Sequence, residues 1–297
     1  MGKTTLATTL ALALNCQGSV PPCNQCSSCR KFVSQAHPDI VIFDDAPETL
    51  KIDQIRNLQH DLFLRPHESR YKIAVLSDFE RVTPAAANAL LKTLEEPPAH
   101  AVLILTAQSS THLLPTIVSR CQIIPLKPMA DKVIAEVLQT KWSATPEQAG
   151  LLSKLAAGRL GWAVNALTDP DMLSRRRQYL TDLTELMAQS EAFRLAYAQK
   201  FIQSRQPLSE LLNLWLTWWR DIMLLHTGVT EGVVNVDLLE EGLAEFAGRL
   251  TADQITKTVK QIHICLKNLS YNANLRLNLD VLLLKLPSLS AQASDKL

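Results

Sequence analysis

Along the first 127 residues, short continuous apolar runs alternate with segments whose apolar residues recur every three or four positions. The runs at 39–43, 72–76, 101–107 and 122–126 are β-branched or Leu-rich and lack polar alternation, as strands buried on both faces of a parallel sheet do. Two helices between them are well signalled. One covers 50–62, with Ile52, Ile55, Leu58 and Leu62 at helical spacing. The other starts at Thr83 as N-cap with Pro84 in the first helical position and stops at Pro97 and Pro98. Alternating strands and helices predict an α/β domain with crossover helices.

From Pro128 the strand signals end. Residues 130–168 predict three short helices around Val133, Val137, Leu151, Leu155 and Val164, with Gly158 and Gly161 as breaks. Beyond Pro170 come longer amphipathic helices with turns near Gln206, Gly228 and Gly248. Trp215, Trp218 and Trp219 stand at i, i+3 and i+4 and read as an aromatic core stripe. The expected division is 1–127, 128–168 and 169–297.

Composition narrows the classes. A chain of 297 residues suggests about two domains, with three small ones also allowed. With 47% hydrophobic and 20% charged residues it is ordinary globular material rather than a disordered chain, and only 9 glycines favour helix. Lys and Arg number 30 against 29 Asp and Glu, a net charge of +1, so bulk electrostatics cannot coat nucleic acid or anionic membrane. Any phosphate contact must come from a local patch. Apolar stretches such as 10–14 and 101–105 are far shorter than the roughly 20 residues of a spanning helix, so no membrane partner is expected. The N-terminus lacks the regions of a signal peptide, and Leu6 stands where a myristoylation pattern wants Ser or Thr. The expectation is a cytoplasmic protein.

Three features carry candidate chemistry. Gly2, Lys3 and Thr4, followed by Thr5 and a helical segment, match the end of the phosphate-cradling signature GxxxxGK[ST]. Cys16, Cys23, Cys26 and Cys29 have the spacing Cx6CxxCxxC, which lets four thiolates close a tetrahedral site with no open position. That suits structural zinc in a reducing compartment, with an iron–sulfur cluster or a redox pair as the competing reading. His37 is not needed as a ligand, and Cys121 and Cys265 read as buried thiols. Third, the strand at 72–76 runs into Ser77 and Asp78, where a Walker B strand needs two carboxylates. A hydroxyl cannot supply the missing charge. Arg175, Arg176 and Arg177 read as a solvated helix face, and Glu95 and Glu96 as a helix end without acid–base work.

The segments ANALLKTLEEPP at 87–98 and LLPTIVSRC at 113–121, with a strand ending in Leu105, Thr106 and Ala107 between them, resemble the bacterial clamp-loader ATPase family of the AAA+ class. The cysteine module after the P-loop helix, HPDI at 37–40 and KIDQIRNL at 51–58 are similar to the same family. AAGRLGWAV at 156–164 and NANLRLNLD at 272–280 extend the likeness. The resemblance implies an N-terminally truncated AAA+ P-loop domain, a helical lid at 128–168 and an all-α collar at 169–297 that holds a ring of subunits. It also implies an Asp-Glu pair where Ser77 and Asp78 stand, and a γ-phosphate-sensing Arg where Gly161 stands. Both departures disable hydrolysis, so the chain resembles a stator of the family, a non-catalytic associate of DNA polymerase III in DNA replication.

On that resemblance Gly2, Lys3, Thr4 and Thr5 hold ATP or ADP that is not turned over, and Mg2+ lacks its usual carboxylate. Arg120, in Ser119-Arg120-Cys121, is implied to act in trans as an arginine finger in the ATP site of a neighbouring motor subunit, with pairing to a local carboxylate as the alternative. The implied partners are tau/gamma and delta subunits and, through the complex, a sliding clamp and primed DNA. A hydrolysing tau/gamma-like motor that relies on Asp78 alone is the competing reading. A stand-alone zinc-dependent nucleic-acid binder conflicts with the near-neutral charge. The first glycine of the P-loop signature and its strand would precede Met1, so Met1 is expected to be an internal methionine of a longer protein.

Overall fold

Three of the apolar runs pair as a parallel sheet: β1 (Ile40–Phe43), β2 (Lys72–Leu76) and β3 (Ala101–Leu105), in the order β1-β2-β3. The computed structural model describes residues 2–44, 50–270 and 273–289 and divides into two units, 1–126 and 127–297. Strand β2, flanked on both edges, is buried along its whole length, which is why it carries apolar residues without alternation. Lys72 at its start is buried too, and its ammonium meets Asp61 at 2.8 Å, so the charge is not left unpaired.

The helices of this unit are α1 (Lys3–Leu14), α2 (Ser27–Val33), α3 (Ile52–Phe63), α4 (Pro84–Glu95) and α5 (Pro115–Val118). Ala74 and Leu76 of β2 face Ile55, Leu58 and Leu62 of α3 and Ala87 and Leu90 of α4. Ile73 and Val75, on the opposite face, pack with Ala7 and Ala11 of α1. Helix α4 begins as expected, with Pro84 in its first turn and the Thr83 hydroxyl accepting the Ala86 N–H at 3.3 Å.

The strand expected at 122–126 does not form. Among the described residues β3 has β2 as its one ladder partner, and Ile123 and Ile124 are 56% and 62% exposed. An apolar run without a neighbouring strand has nothing to pair its N–H and C=O groups in a sheet, so it stays outside one. Met1, on which the expectation of an upstream segment rests, lies outside the described residues.

In the second unit all the regular elements among the described residues are helices. Helices α6 (Asp131–Trp142), α7 (Pro146–Leu155) and α8 (Leu160–Thr168) share a core of Ile134, Leu138, Ala149, Leu152 and Ala163. Of the apolar residues expected to mark these helices, Leu155 is buried and Val164 packs on the core, whereas Val133 is 43% exposed and Leu151 39%, their neighbours Ile134 and Leu152 pointing inward instead. Gly161 sits inside α8, so it breaks nothing. The chain turns instead at Gly158, whose φ is +79° and where any Cβ would lie 2.3 Å from Pro128 Cβ.

A larger core joins α9 (Pro170–Ala188), α10 (Glu191–Gln203), α11 (Leu208–His226), α12 (Ala244–Arg249), α13 (Ala252–Ser270) and α14 (Leu275–Leu284). Gly248 lies in the last turn of α12, which ends at Arg249, so the chain turns near it as expected before α13 begins at Ala252. Trp215, Trp218 and Trp219 are buried in this core, and Trp218 meets Trp219 edge-on at 5.1 Å. The Arg175–Arg177 run is not uniformly solvated. Arg176 shares a helix face with Tyr179, Leu180 and Leu183, is buried, and donates to Asp237 at 2.6 Å and Asn235 at 2.5 Å. Of the 272–280 stretch, Asn272 lies outside the described residues, and Asn274 caps α14 by accepting the Leu277 N–H. No described helix is long and apolar enough to cross a membrane.

Candidate functional site

Unit 1 gathers the candidate residues in three places. The first is the N-terminus of α1. Gly2 adopts a left-handed conformation with φ 67°, and no side chain caps the helix, so the first-turn N–H groups, beginning at Lys3, Thr4 and Thr5, are left for an anion. Lys3 Nζ lies 3.9 Å from Asp78 Oδ1, just past the end of β2. Asp78 itself has φ 46°, and its N–H donates to Thr106 Oγ1 while Phe79 N–H donates to the Thr106 carbonyl, which ties this turn to the end of β3. The Ser77 hydroxyl is buried without a hydrogen-bond partner. These residues fit a phosphate group. They offer a divalent cation one carboxylate, that of Asp78, beside an orphaned hydroxyl.

The second place is the cysteine knuckle between α1 and α2. The Asn15 side chain brackets Tyr71, donating to its carbonyl at 2.8 Å and accepting its N–H at 3.0 Å, and so fixes the end of α1 where Cys16 follows. The four sulfurs of Cys16, Cys23, Cys26 and Cys29 lie within 4.8 Å of one another. Cys29 Sγ is 3.8 Å from Cys16 Sγ and 3.9 Å from Cys23 Sγ. A tetrahedron with metal–sulfur bonds of about 2.3 Å has edges of about 3.8 Å, so the set fits a metal ion.

Backbone N–H groups point at the sulfurs: Gly18 and Cys23 donate to Cys16 Sγ, and Cys26 donates to Cys23 Sγ. Close approach needs the glycine, since a Cβ at position 18 would lie 2.6 Å from Cys23 Cβ. N–H groups of Gln17 and Cys29 draw the Cys26 thiol down to about 6, and those of Gln25 and Cys26 lower that of Cys23. Burial pushes Cys29 up to about 12. Thiols this close cannot all ionise without a cation between them.

His37 stands outside the sulfur set. Its Nδ1 accepts the Asp39 N–H at 3.1 Å, which makes Nε2–H the donor to Ser28 Oγ at 2.9 Å. Fully buried Asp39 in turn accepts the N–H groups of His67, Glu68 and Ser69 at 2.7, 3.0 and 3.0 Å. The knuckle is thereby tied to the start of β1.

Arg120 occupies the third place. Helix α5 is a single turn opened by Pro115 and anchored by buried Ile117. Beyond it the Arg120 guanidinium meets Glu95 Oε1 at 2.6 Å and donates through NH1 to the Thr116 carbonyl at 3.0 Å and to Ser119 Oγ at 3.3 Å. Pairing with a local carboxylate, the alternative reading of Arg120, is what the chain shows; that the carboxylate is Glu95, the last residue of α4, was not readable, because the contact arises from packing of α4 on α5. Cys121 is half-buried against the same core, where burial raises its thiol pKa; Cys265 in unit 2 is buried and raised to about 11.

Two family models cover most of the chain. One described as DNA polymerase III, delta subunit, matches residues 1–130, and one described as DNA polymerase III, delta subunit, C terminal, matches residues 170–287. The DNA polymerase III subunit delta' of Haemophilus influenzae is 34% identical over 276 residues, spanning 88% of this chain and 78% of that protein. The delta' subunit of Bacillus subtilis is 28% identical over 280 residues, 93% of this chain and 84% of its own length. The tau subunit of the same organism is 25% identical over 321 residues, which takes in 100% of this chain but 57% of the tau subunit.

Proposed function

Because the chain belongs to the delta' family of DNA polymerase III subunits, the clamp-loader subunits, we propose that it is a stator that turns over no nucleotide itself and supplies Arg120 in trans to a neighbouring ATPase subunit. The observation that carries this reading is the state of the acidic pair: a buried, unpartnered Ser77 hydroxyl at the end of β2 where a Walker B strand needs its first carboxylate, followed by Asp78, which faces Lys3. Phosphoryl transfer needs a held metal and an activated water, and one carboxylate cannot serve both. A guanidinium has no such need, since it only has to meet charge developing on the transferred phosphoryl group.

Gly2, Lys3, Thr4 and Thr5 then retain ATP or ADP without hydrolysing it. The four cysteines hold structural zinc, in keeping with their all-sulfur, closed geometry. Residues 1–127 form the AAA+ domain, 128–168 the lid and 169–297 the collar through which the chain joins a ring with tau/gamma and delta subunits. That ring loads a sliding clamp onto primed DNA in the cytoplasm.

The test is reconstitution with the motor and delta subunits. Arg120→Ala is expected to lower the ATPase rate of the assembled loader and leave assembly intact; an arginine finger contributes about 10³–10⁵ in kcat at the site it serves. An unchanged rate defeats the reading. The competing reading, a tau/gamma-like motor, draws on the Lys3–Asp78 proximity and on the likeness to tau. ATP turnover by the isolated full-length chain would favour it.

A further inference from the structure

We propose that Glu95 is a positioning residue for Arg120: its carboxylate fixes the guanidinium in the one orientation that leaves donors for a phosphate. The proposal rests on the arginine-finger reading above. A guanidinium has five N–H donors. Arg120 donates through NH1 to the Thr116 carbonyl and Ser119 Oγ, and its NH2 nitrogen forms an ion pair with Glu95 Oε1 at 2.6 Å. Among the described residues no hydrogen bond engages Nε–H or NH2, which share one edge of the guanidinium. Two adjacent donors in a rigid fork are what bidentate phosphate recognition requires.

Both ends of the contact stand on packed elements. Glu95 closes α4, which is held by buried Ala86, Ala87 and Leu90, and two prolines follow one residue later. Arg120 follows α5, which Ile117 pins into the same core. The Arg120 side chain is 34% exposed and that of Glu95 50%, so solvent reaches the pair and an incoming phosphate can too. An arginine at a surface with no carboxylate beside it would spread over several rotamers, and only a fraction would meet a phosphoryl group at the right angle.

The experiment uses the loader reconstituted from this chain with its motor and delta subunits, assayed for ATPase with clamp and primed DNA. Four variants are compared: Glu95→Ala, Glu95→Gln, Arg120→Ala and the Glu95→Ala/Arg120→Ala double. An exposed pair of this kind is worth about two- to fivefold, so Glu95→Ala is expected to lower kcat by about that factor with the KM for ATP unchanged. Glu95→Gln, which keeps an accepting oxygen, is expected to recover most of the loss. In the Arg120→Ala background the second substitution should change nothing further. Size-exclusion chromatography of each complex verifies assembly. A rate unchanged or raised by Glu95→Ala, while Arg120→Ala lowers it, overturns the positioning role and spares the finger. A further loss in the double variant overturns it as well. A loader indifferent to Arg120→Ala overturns both.

Discussion

Asp39 is a carboxylate with no exposed surface, held by three backbone N–H groups from the loop at 67–69. Burial works to raise its pKa, but the three N–H groups together outweigh it and the folded-state value lies below the ordinary one. The sign follows by linkage: the contribution is complete above the unfolded-chain pKa of about 4 and is lost as pH falls through the lower folded value. Asp39→Asn should therefore destabilise by about 1.5–3 kcal/mol at pH 7 and flatten the acid limb of the stability curve, measured as urea midpoint against pH. An acid limb equally steep in both proteins would refute the assignment. Arg194 is a second case. It is 1% exposed and bonds the carbonyls of Leu186, Met187, Leu283, Leu286 and Pro287 and the Ser288 hydroxyl, so the C-terminal ends of α9 and α14 solvate its charge. Arg194→Leu should cost about 3 kcal/mol, read from chemical denaturation, because several carbonyls lose their donor at once. Nothing in the local sequence marks Arg194, Arg176 or Glu95 for these roles. Their partners come from other segments of the chain, whereas Thr83 and Pro84 act on their own helix and could be read directly.

The secondary-structure elements follow the same division between local and distant causes. Strand β2 was readable because burial on both faces demands apolar residues throughout, β1 and β3 because their runs are apolar too although only partly buried, and α3 because its apolar face repeats at helical spacing. The run at 122–126 has equally suitable composition and fails, since a strand is a property of a pair and no described strand pairs with it. The knuckle at 16–29 was readable for the opposite reason: four ligands within one short stretch need no distant partner. Between α1 and α2 it has little apolar burial of its own, and Val20 is 76% exposed. On the proposed metal reading, its order comes from the bound ion together with the N–H bonds to sulfur. Removing the metal with a strong chelator, or substituting Cys26→Ser, is expected to expose residues 17–25 to limited proteolysis while β2 stays protected from hydrogen exchange. Elemental analysis should find one zinc per chain; iron with visible absorbance would select the cluster reading instead. Protection of 17–25 that survives complete metal removal would contradict a structural metal.

Each of the two units closes cores of its own. In unit 1 these are the two faces of the sheet, and in unit 2 the α6–α8 cluster and the larger cluster around Trp215, Trp218 and Trp219. Separate cores in one chain remove the reason for a single all-or-none transition. Calorimetry of the full chain is therefore expected to resolve more than one unfolding transition, and the substitutions above assign them. Asp39→Asn and metal removal act on residues of unit 1 and should lower one transition. Arg194→Leu acts in unit 2 and should lower another. For a domain of roughly 100–150 residues, a loss of about 3 kcal/mol corresponds to roughly 10 °C, enough to separate the assignments. If Asp39→Asn and Arg194→Leu displaced the same transition by the same amount, the units would be unfolding as one. On the proposed stator reading, separate unfolding transitions bear on function, because Arg120 and its α4–α5 support would have to stay in place whatever happens in unit 2. The prediction that follows is that Arg194→Leu, at a temperature below both transitions, leaves the ATPase rate of an assembled loader unaltered, whereas loosening α5 by Ile117→Ala lowers it as Arg120→Ala does.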